Sequence, residues 1–308
     1  MTFDRYRNQV DLLLDVLPII AKHRQFALKG GTALNLFYLD MPRLSVDIDL
    51  CYLPIGDRES SLKNMHNILS QIKKEIEQKL GSRVIPTKPL NGKDEARLIV
   101  IRGNAEIKVE PNYIIRGALF EPSDLSTSLK VELEFGKVST IQCLNFKDLY
   151  GGKICAALDR QHPRDLFDIQ KFFERDALNE QIIDAFIYYL FSHNRPFHEI
   201  LNPTEKQVDE VFETEFKGMT NEQVDIANLI KARTTLIQNI VRSLDEKSRN
   251  LILTFSSADP DWNLYRYPKI QDYPSVKWRI FNIKKMTLAK KIAQRAELEQ
   301  IFETSSIN

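Results

Sequence analysis

Apolar positions change period several times along the first half of the chain, and each change marks an element. Val10, Leu13, Leu14, Val16, Leu17 and Ile20 recur at helical spacing, so an amphipathic helix is predicted over 8–22. Phe26-Ala27-Leu28-Lys29 follows as a short strand, Gly30-Gly31 as a turn, and Thr32 as a suitable N-cap for a helix carrying Leu34, Leu36 and Phe37. Beyond a loop with Pro42 and Arg43, Ser45-Val46-Asp47-Ile48-Asp49-Leu50 alternates at period two and predicts a strand. Leu62, Met65, Ile68, Leu69, Ile72, Ile76 and Leu80 mark a long helix. Leu98–Ile101 and Ala105–Glu110 flank Arg102-Gly103-Asn104, a tight hairpin loop. Val131–Phe135 alternates again and predicts another strand.

After residue 140 the pattern becomes helical. Asn145 can cap a helix running towards Leu158, with Asp148 at its favourable third position. Pro163 interrupts it, and Arg164–Ile169 begins a helix that buries Leu166, Ile169, Phe172 and Phe173. Loops are expected at 194–196 and 256–274. The predicted organisation is an α/β domain over 1–140 followed by a mainly helical domain over 141–308.

Composition narrows the class. With 43% hydrophobic and 28% charged residues, the chain should build an ordinary globular core. A net charge of +1 argues against a uniformly basic coat but leaves local patches open. Cys51, Cys143 and Cys155 share no metal-binding or disulfide spacing, which suits a reducing compartment. The start MTFDRYRNQV lacks the order of a signal peptide, and no apolar run reaches membrane-spanning length. A cytoplasmic protein with no membrane partner is expected.

Asp47 and Asp49 alternate with Ile48 and Leu50, so both carboxylates leave one strand face and could hold a divalent cation. Alone, this pair reads equally well as a solvated strand face. Gly30-Gly31, between a strand and a helix, lets backbone amides approach a phosphate, with Thr32 adding a hydroxyl and Lys29 a charge. Succession of the two motifs favours nucleotidyl transfer. Glu110, at the end of its strand, is the choice for a third carboxylate, with Glu132 and Glu134 as rivals by the same alternation. Lys108 could neutralise charge or touch phosphate. Lys153 reads by itself as a solvated helix face, Asp165 as a helix-start residue, and Asp168 as a partner of Arg164 or Arg160. Between Tyr273 and Ala296 lie Lys277, Arg279, Lys284, Lys285, Lys290, Lys291 and Arg295 with no acid among them. RNA binding and a solvated basic helix explain these cations equally well. Trp278 is expected in the core.

KGGTALNLF, RLSVDIDL, the GGK…R…RDLFDI stretch and the late YPSVKWRIFNIKKM together resemble the AbiEii/AbiGii-type nucleotidyltransferases. These are toxin components of abortive-infection and type IV toxin–antitoxin systems, related to the MenT toxins. The resemblance implies an α+β fold, with a polymerase-β-like nucleotidyltransferase domain of mixed sheet followed by a helical bundle, NTP and Mg²⁺ (or Mn²⁺) binding between them. It places Gly31 and Thr32 in the phosphate-binding turn, and Ser45, Asp47 and Asp49 in the Ser-x-Asp-x-Asp strand. It assigns Lys153 to nucleotide phosphates and Asp165 to the late aspartate needed for activity, a role Asp168 could also fill. The loop before Asp47 is longer than is usual in polymerase-like relatives.

The resulting expectation is an enzyme that moves an NMP from NTP to an acceptor hydroxyl, placed by the resemblance on tRNA. Catalysis falls to Asp47, Asp49, Glu110 and Asp165, with Asp47, Asp49 and Glu110 as metal ligands. Nucleotide binding falls to Lys29, Gly30, Gly31, Thr32, Ser45, Lys108 and Lys153. A cognate antitoxin is implied by the resemblance alone. The alternatives are the same chemistry on a protein or small molecule, and a non-catalytic protein that binds nucleotide or a partner.

Overall fold

The computed structural model of the protein describes residues 2–87 and 97–306. These residues divide into two compact units, Met1–Leu149 with Gly218–Gln223, and Tyr150–Lys217 with Val224–Asn308. The first unit therefore runs past residue 140 and takes in a short later segment.

The first unit is built on one mixed sheet. Its strands are β1 (Phe26–Lys29), β2 (Asp47–Tyr52), β3 (Arg83–Thr87), β4 (Arg97–Arg102), β5 (Ala105–Asn112), β6 (Ser123–Ser126) and β7 (Thr140–Cys143), in the spatial order β3-β4-β5-β2-β1-β7-β6. β2 lies antiparallel to β1 and parallel to β5. Helix α1 (Thr2–Ile20) packs on β5 and β7, and α3 (Arg58–Leu80) on α1, β3 and β4. Between β1 and β2 comes α2 (Gly30–Ala33), which runs directly into a π-helical turn at Leu34–Tyr38. Ile48, Leu50, Ile107 and Val109 are fully buried, so the apolar half of each alternating strand serves the core. The hairpin turns at Gly103-Asn104 as its sequence requires, with Gly103 at φ 57°.

Two local expectations are corrected. Val131–Phe135 is not a strand; it lies in helix α4 (Leu129–Phe135). Asp40 Oδ1 accepts the Lys130 amide in its first turn, and Gly136, at φ 63°, ends it while donating to Glu132 O. Val131 alone of its apolar residues is buried and Leu133 is 77% exposed, so the alternation does not correspond to a half-buried sheet face. Thr32 is not an N-cap. The helix begins at Gly30, Lys29 stands at the cap without a side-chain bond, and Thr32 is fully buried within the first turn.

The second unit is helical. It continues α5 (Phe146–Arg160) from Tyr150, then adds α6 (Pro163–Phe173), α7 (Glu180–Phe191), α8 (Phe197–Leu201), α9 (Asp209–Val211), α10 (Ile226–Arg242), α11 (Glu246–Ser256), α12 (Pro274–Lys284) and α13 (Leu288–Ser306). Asn145 Oδ1 accepts the Lys147 amide at the start of α5, as expected of a cap. Phe191 and Phe255 stack with centroids 4.0 Å apart and Phe197 meets Phe255 edge-on, giving the bundle an aromatic centre. Gly151 allows α5 to approach α7 closely, since a β-carbon there would lie 2.6 Å from the main-chain carbon of Ala185. In α6, Leu166, Phe167, Ile169 and Phe172 are buried, while Phe173 is half-buried. Cys51, Cys143 and Cys155 are buried and free, and burial pushes the Cys51 thiol up to about 12. Among the described residues no helix is long and apolar enough to cross a membrane.

Candidate active site

In the first unit, register brings three predicted residues into one row. Lys29 pairs directly with Asp49 across β1 and β2, and Asp49 pairs directly with Glu110 across β2 and β5. Directly paired residues share a sheet face, so the ammonium and the two carboxylates point the same way. Asp47 pairs with Lys108 in the neighbouring row. These five side chains are half-buried, in contrast to the fully buried face behind them. Arg97 Nη1 reaches Glu110 Oε1 at 2.9 Å, a contact with no counterpart in the sequence reading.

The glycine turn is built against this row. Gly30 has φ 71°, a region open to glycine but strained for other residues, and Asp49 Oδ2 sits where its β-carbon would be. A β-carbon on Gly31 would lie 2.7 Å from Arg43 Nη2 and 3.1 Å from Ser45 Oγ. Side chains thus approach both glycines closely, and Gly30 is also called for by its backbone.

Thr32 and Ser45 are bonded to each other and to the start of β2. Thr32 Oγ1 shares a 2.9 Å hydrogen bond with Ser45 Oγ and donates to the main-chain oxygen of Asp47. Both residues are buried, so their hydroxyls join the turn to the first residue of β2. Arg43, read from sequence only as a loop residue, is also buried. Its Nη1 donates to Leu44 O at 2.9 Å, while Nη2 covers Gly31. The long loop that carries it is tied down by the later segment of the same unit. The Leu44 amide donates to Met219 O at 2.6 Å, and Thr220 Oγ1 to Pro42 O at 2.9 Å. The signal for Arg43 was its place two residues before Ser45, but nothing in its surroundings announced burial.

The two carboxylates on β2 suit a hard divalent cation. Mg²⁺ ordinarily takes one or two protein carboxylates and fills its remaining positions with water and substrate phosphate oxygens. Asp49 and Glu110, like-charged and directly opposite, also form a pair that a cation would stabilise. Among the described residues no three His, Cys, Asp or Glu side chains are gathered closely enough to form a metal cluster of their own. Glu132 and Glu134, on α4, are outside the sheet.

In the second unit, Lys153 is not on a solvated helix face. Its side chain is 7% exposed, and Nζ lies 2.8 Å from Asp165 Oδ1 and 2.8 Å from Asp168 Oδ2. Arg160 Nη2 adds a 2.8 Å contact to Asp165 Oδ2. Two cations and two carboxylates thus form a neutral cluster joining α5 to α6. Burial opposes ionisation of Asp165, but Lys153 and Arg160 prevail and hold its carboxyl below the ordinary value. Asp165 and Asp168 both bind Lys153, which accounts for their similar standing in the sequence.

Trp278 is not a core residue. It lies on α12 and is 52% exposed.

A family model described as "Nucleotidyl transferase AbiEii toxin, Type IV TA system" matches residues 11–263. Among solved structures, the chain is similar to MenT4, a nucleotidyltransferase toxin from Mycobacterium tuberculosis H37Rv, with a TM-score of 0.59 and 15% identity. That likeness covers 92% of this chain and 97% of the MenT4 chain and is one of fold. No match was found among curated protein sequences.

Proposed function

The chain belongs to the AbiEii nucleotidyltransferase toxin family of type IV toxin–antitoxin systems, and on that premise we propose that it transfers an NMP from NTP to a hydroxyl of tRNA. The observation that carries this reading is the Lys29–Asp49–Glu110 row laid against the Gly30 turn. Its first unit is the transferase domain and its second a helical accessory domain. Family membership brings an NTP substrate and an antitoxin partner with it. The substrates place the reaction in the cytoplasm.

The acceptor oxygen attacks the α-phosphorus, the bond from that phosphorus to the bridging oxygen breaks, and pyrophosphate leaves. Asp47 and Asp49 would hold Mg²⁺ or Mn²⁺, whose charge offsets that of the triphosphate and of the developing leaving group. Lys29 and the main-chain amides at Gly30 and Gly31 bind phosphate oxygens. Arg43 stiffens that turn from behind Gly31. Thr32 and Ser45 act as positioning residues, fixing the turn relative to Asp47. Glu110 completes the carboxylate set or accepts the acceptor proton once it exchanges its contact with Arg97. Lys108 counters the charge of Asp47, its cross-strand neighbour. The family motif assigns Lys153 to nucleotide phosphates and Asp165 to activity, and their 2.8 Å ion pair fixes the position of the ammonium.

Incubating the wild type and Asp49→Ala with each α-³²P-labelled NTP, Mg²⁺ and total tRNA tests the proposal. Label on tRNA with wild type alone is expected. Undiminished labelling by Asp49→Ala overturns the metal assignment. Label on a protein or a small hydroxyl compound in place of tRNA would move the same chemistry to that acceptor.

A further inference from the structure

The exposed side of α12 presents a stacked array that neither the transfer chemistry nor the core uses. Trp278 and Phe281 are 52% and 45% exposed, yet they are ordered against each other, with centroids 5.5 Å apart and an interplanar angle of 25°. Lys285 Nζ stands 4.0 Å from the Phe281 ring centre, so both an ammonium and the indole lie against the phenyl ring. Two large rings left this exposed need an account, because their apolar area would ordinarily be covered.

The charges around the array are sorted by structure. Lys277 pairs with Asp272, and Arg295 with Glu299. Arg279 turns inward, donates to the main-chain oxygens of Asn194 and Arg195, and lies over the Phe197 ring. It anchors α12 and is withdrawn from solvent. Lys284, Lys285, Lys290 and Lys291 remain, with no carboxylate partner among the described residues. No acid occurs between Tyr273 and Ala296 to offset them. The surface therefore combines flat exposed rings with cations that lack local counter-charge. A polyanion with π-faces complements both features at once.

We propose that the Trp278–Phe281–Lys285 array, with Lys284 beside it, is a docking surface for a single-stranded segment of the acceptor RNA. A base extends the existing stack on the indole, while the lysines follow the phosphates. This rests on the reading of RNA as acceptor. An acidic protein would satisfy the lysines but would have no comparable use for stacked rings.

The test is fluorescence anisotropy with a labelled single-stranded RNA oligonucleotide and the full chain, without NTP. Duplex RNA and polyglutamate serve as competitors. Trp278→Ala and Phe281→Ala should each weaken binding by roughly 10-fold, the scale of losing one base-stacking ring. Lys284→Glu with Lys285→Glu should reduce the slope of log affinity against log salt by at least about 1.4. Asp49→Ala should bind as wild type does, because it leaves α12 intact. Unchanged RNA affinity in both ring variants overturns the proposal, as does displacement by polyglutamate but not by unlabelled RNA. If RNA binding depends on Trp278 but no nucleotide is transferred, the docking surface stands and the transfer reading fails. Transfer to tRNA with unchanged KM in Trp278→Ala gives the reverse.

Discussion

The Asp49 carboxylate occupies the space that a β-carbon on Gly30 would fill. Strand β2 and the glycine turn are thereby placed by one contact, and Gly30 is the residue that permits it. Gly30→Ala adds a methyl group at that point and forces alanine to φ 71°, a strain of about 1–2 kcal/mol. The larger consequence is for Asp49, which must move. We expect nucleotidyl transfer to be lost while circular dichroism still reports a folded chain. Activity within two-fold of wild type would mean that the Asp49 position is not critical.

Thr32 offers a cleaner separation of shape from hydrogen bonding. Thr32→Val keeps the volume but deletes the bonds to Ser45 Oγ and the Asp47 carbonyl, leaving buried polar groups without their partner at a cost of about 1–3 kcal/mol. Thr32→Ser restores the hydroxyl. Thermal unfolding and transfer rate should both fall in the valine variant and largely recover in the serine variant. Equal behaviour of the two would show that packing, and not the hydroxyl, holds the turn to β2.

What was legible in the sequence follows the physics of each segment. Asp47 to Leu50 could be read because a strand with one buried face must alternate, and Gly103-Asn104 because a tight hairpin needs a permissive backbone. Ser123–Ser126 could not, since β6 is a short, largely polar strand at the end of the sheet with little to bury. Val131–Phe135 misled because five residues of alternation also fit a helical turn, and the deciding features, the Asp40 contact and Gly136, lie outside the segment. At the site, residue types were readable but partnerships were not. Lys153, Asp165 and Asp168 were all visible, yet only the packing of α5 on α6 makes them a buried cluster. Arg97 meets Glu110 across strands, a relation that local spacing does not encode. Gly151, two residues before Lys153, has the task of admitting α7, which only the packing of α5 reveals.

Removing the centre of the Lys153 cluster should expose its charge balance. Lys153→Met takes the ammonium away from both Asp165 and Asp168, and breaking a buried pair in this way costs on the order of 3–5 kcal/mol. In the wild type, the Asp165 carboxyl is held below its ordinary value, so its contribution to stability is present above the unfolded pKa near 3.8 and disappears as pH falls through the folded one. The variant loses much of that depression. Thermal melts should therefore show a full difference from wild type from pH 7 down to about 4, shrinking only below the ordinary value of 3.8 as acid neutralises the carboxylates. A difference that stays constant through that acid range as well would argue that lost packing, and not lost charge, causes the effect.

Asp184 should give the opposite pH dependence, and it lies outside the transfer chemistry. Burial raises its carboxyl from 3.8 to about 6, Arg266 opposing the shift and the Glu180 and Asp245 carboxylates reinforcing it. The Arg266 Nε stands 3.7 Å from Asp184 Oδ2 and is also engaged by Glu180, so it does not overcome desolvation. A carboxyl raised on folding binds its proton more tightly in the native state. Its contribution is fully present below the unfolded value near 3.8 and is lost as pH rises through about 6. The shift corresponds to about 3 kcal/mol between those limits. Asp184→Asn removes the titration and leaves in place the Asp184 main-chain oxygen that accepts the Tyr265 hydroxyl. The asparagine variant should match the wild type near pH 4 and melt several degrees higher at pH 7–8. A lower melting temperature across that whole range would instead make the charged Asp184–Arg266 contact a net stabiliser.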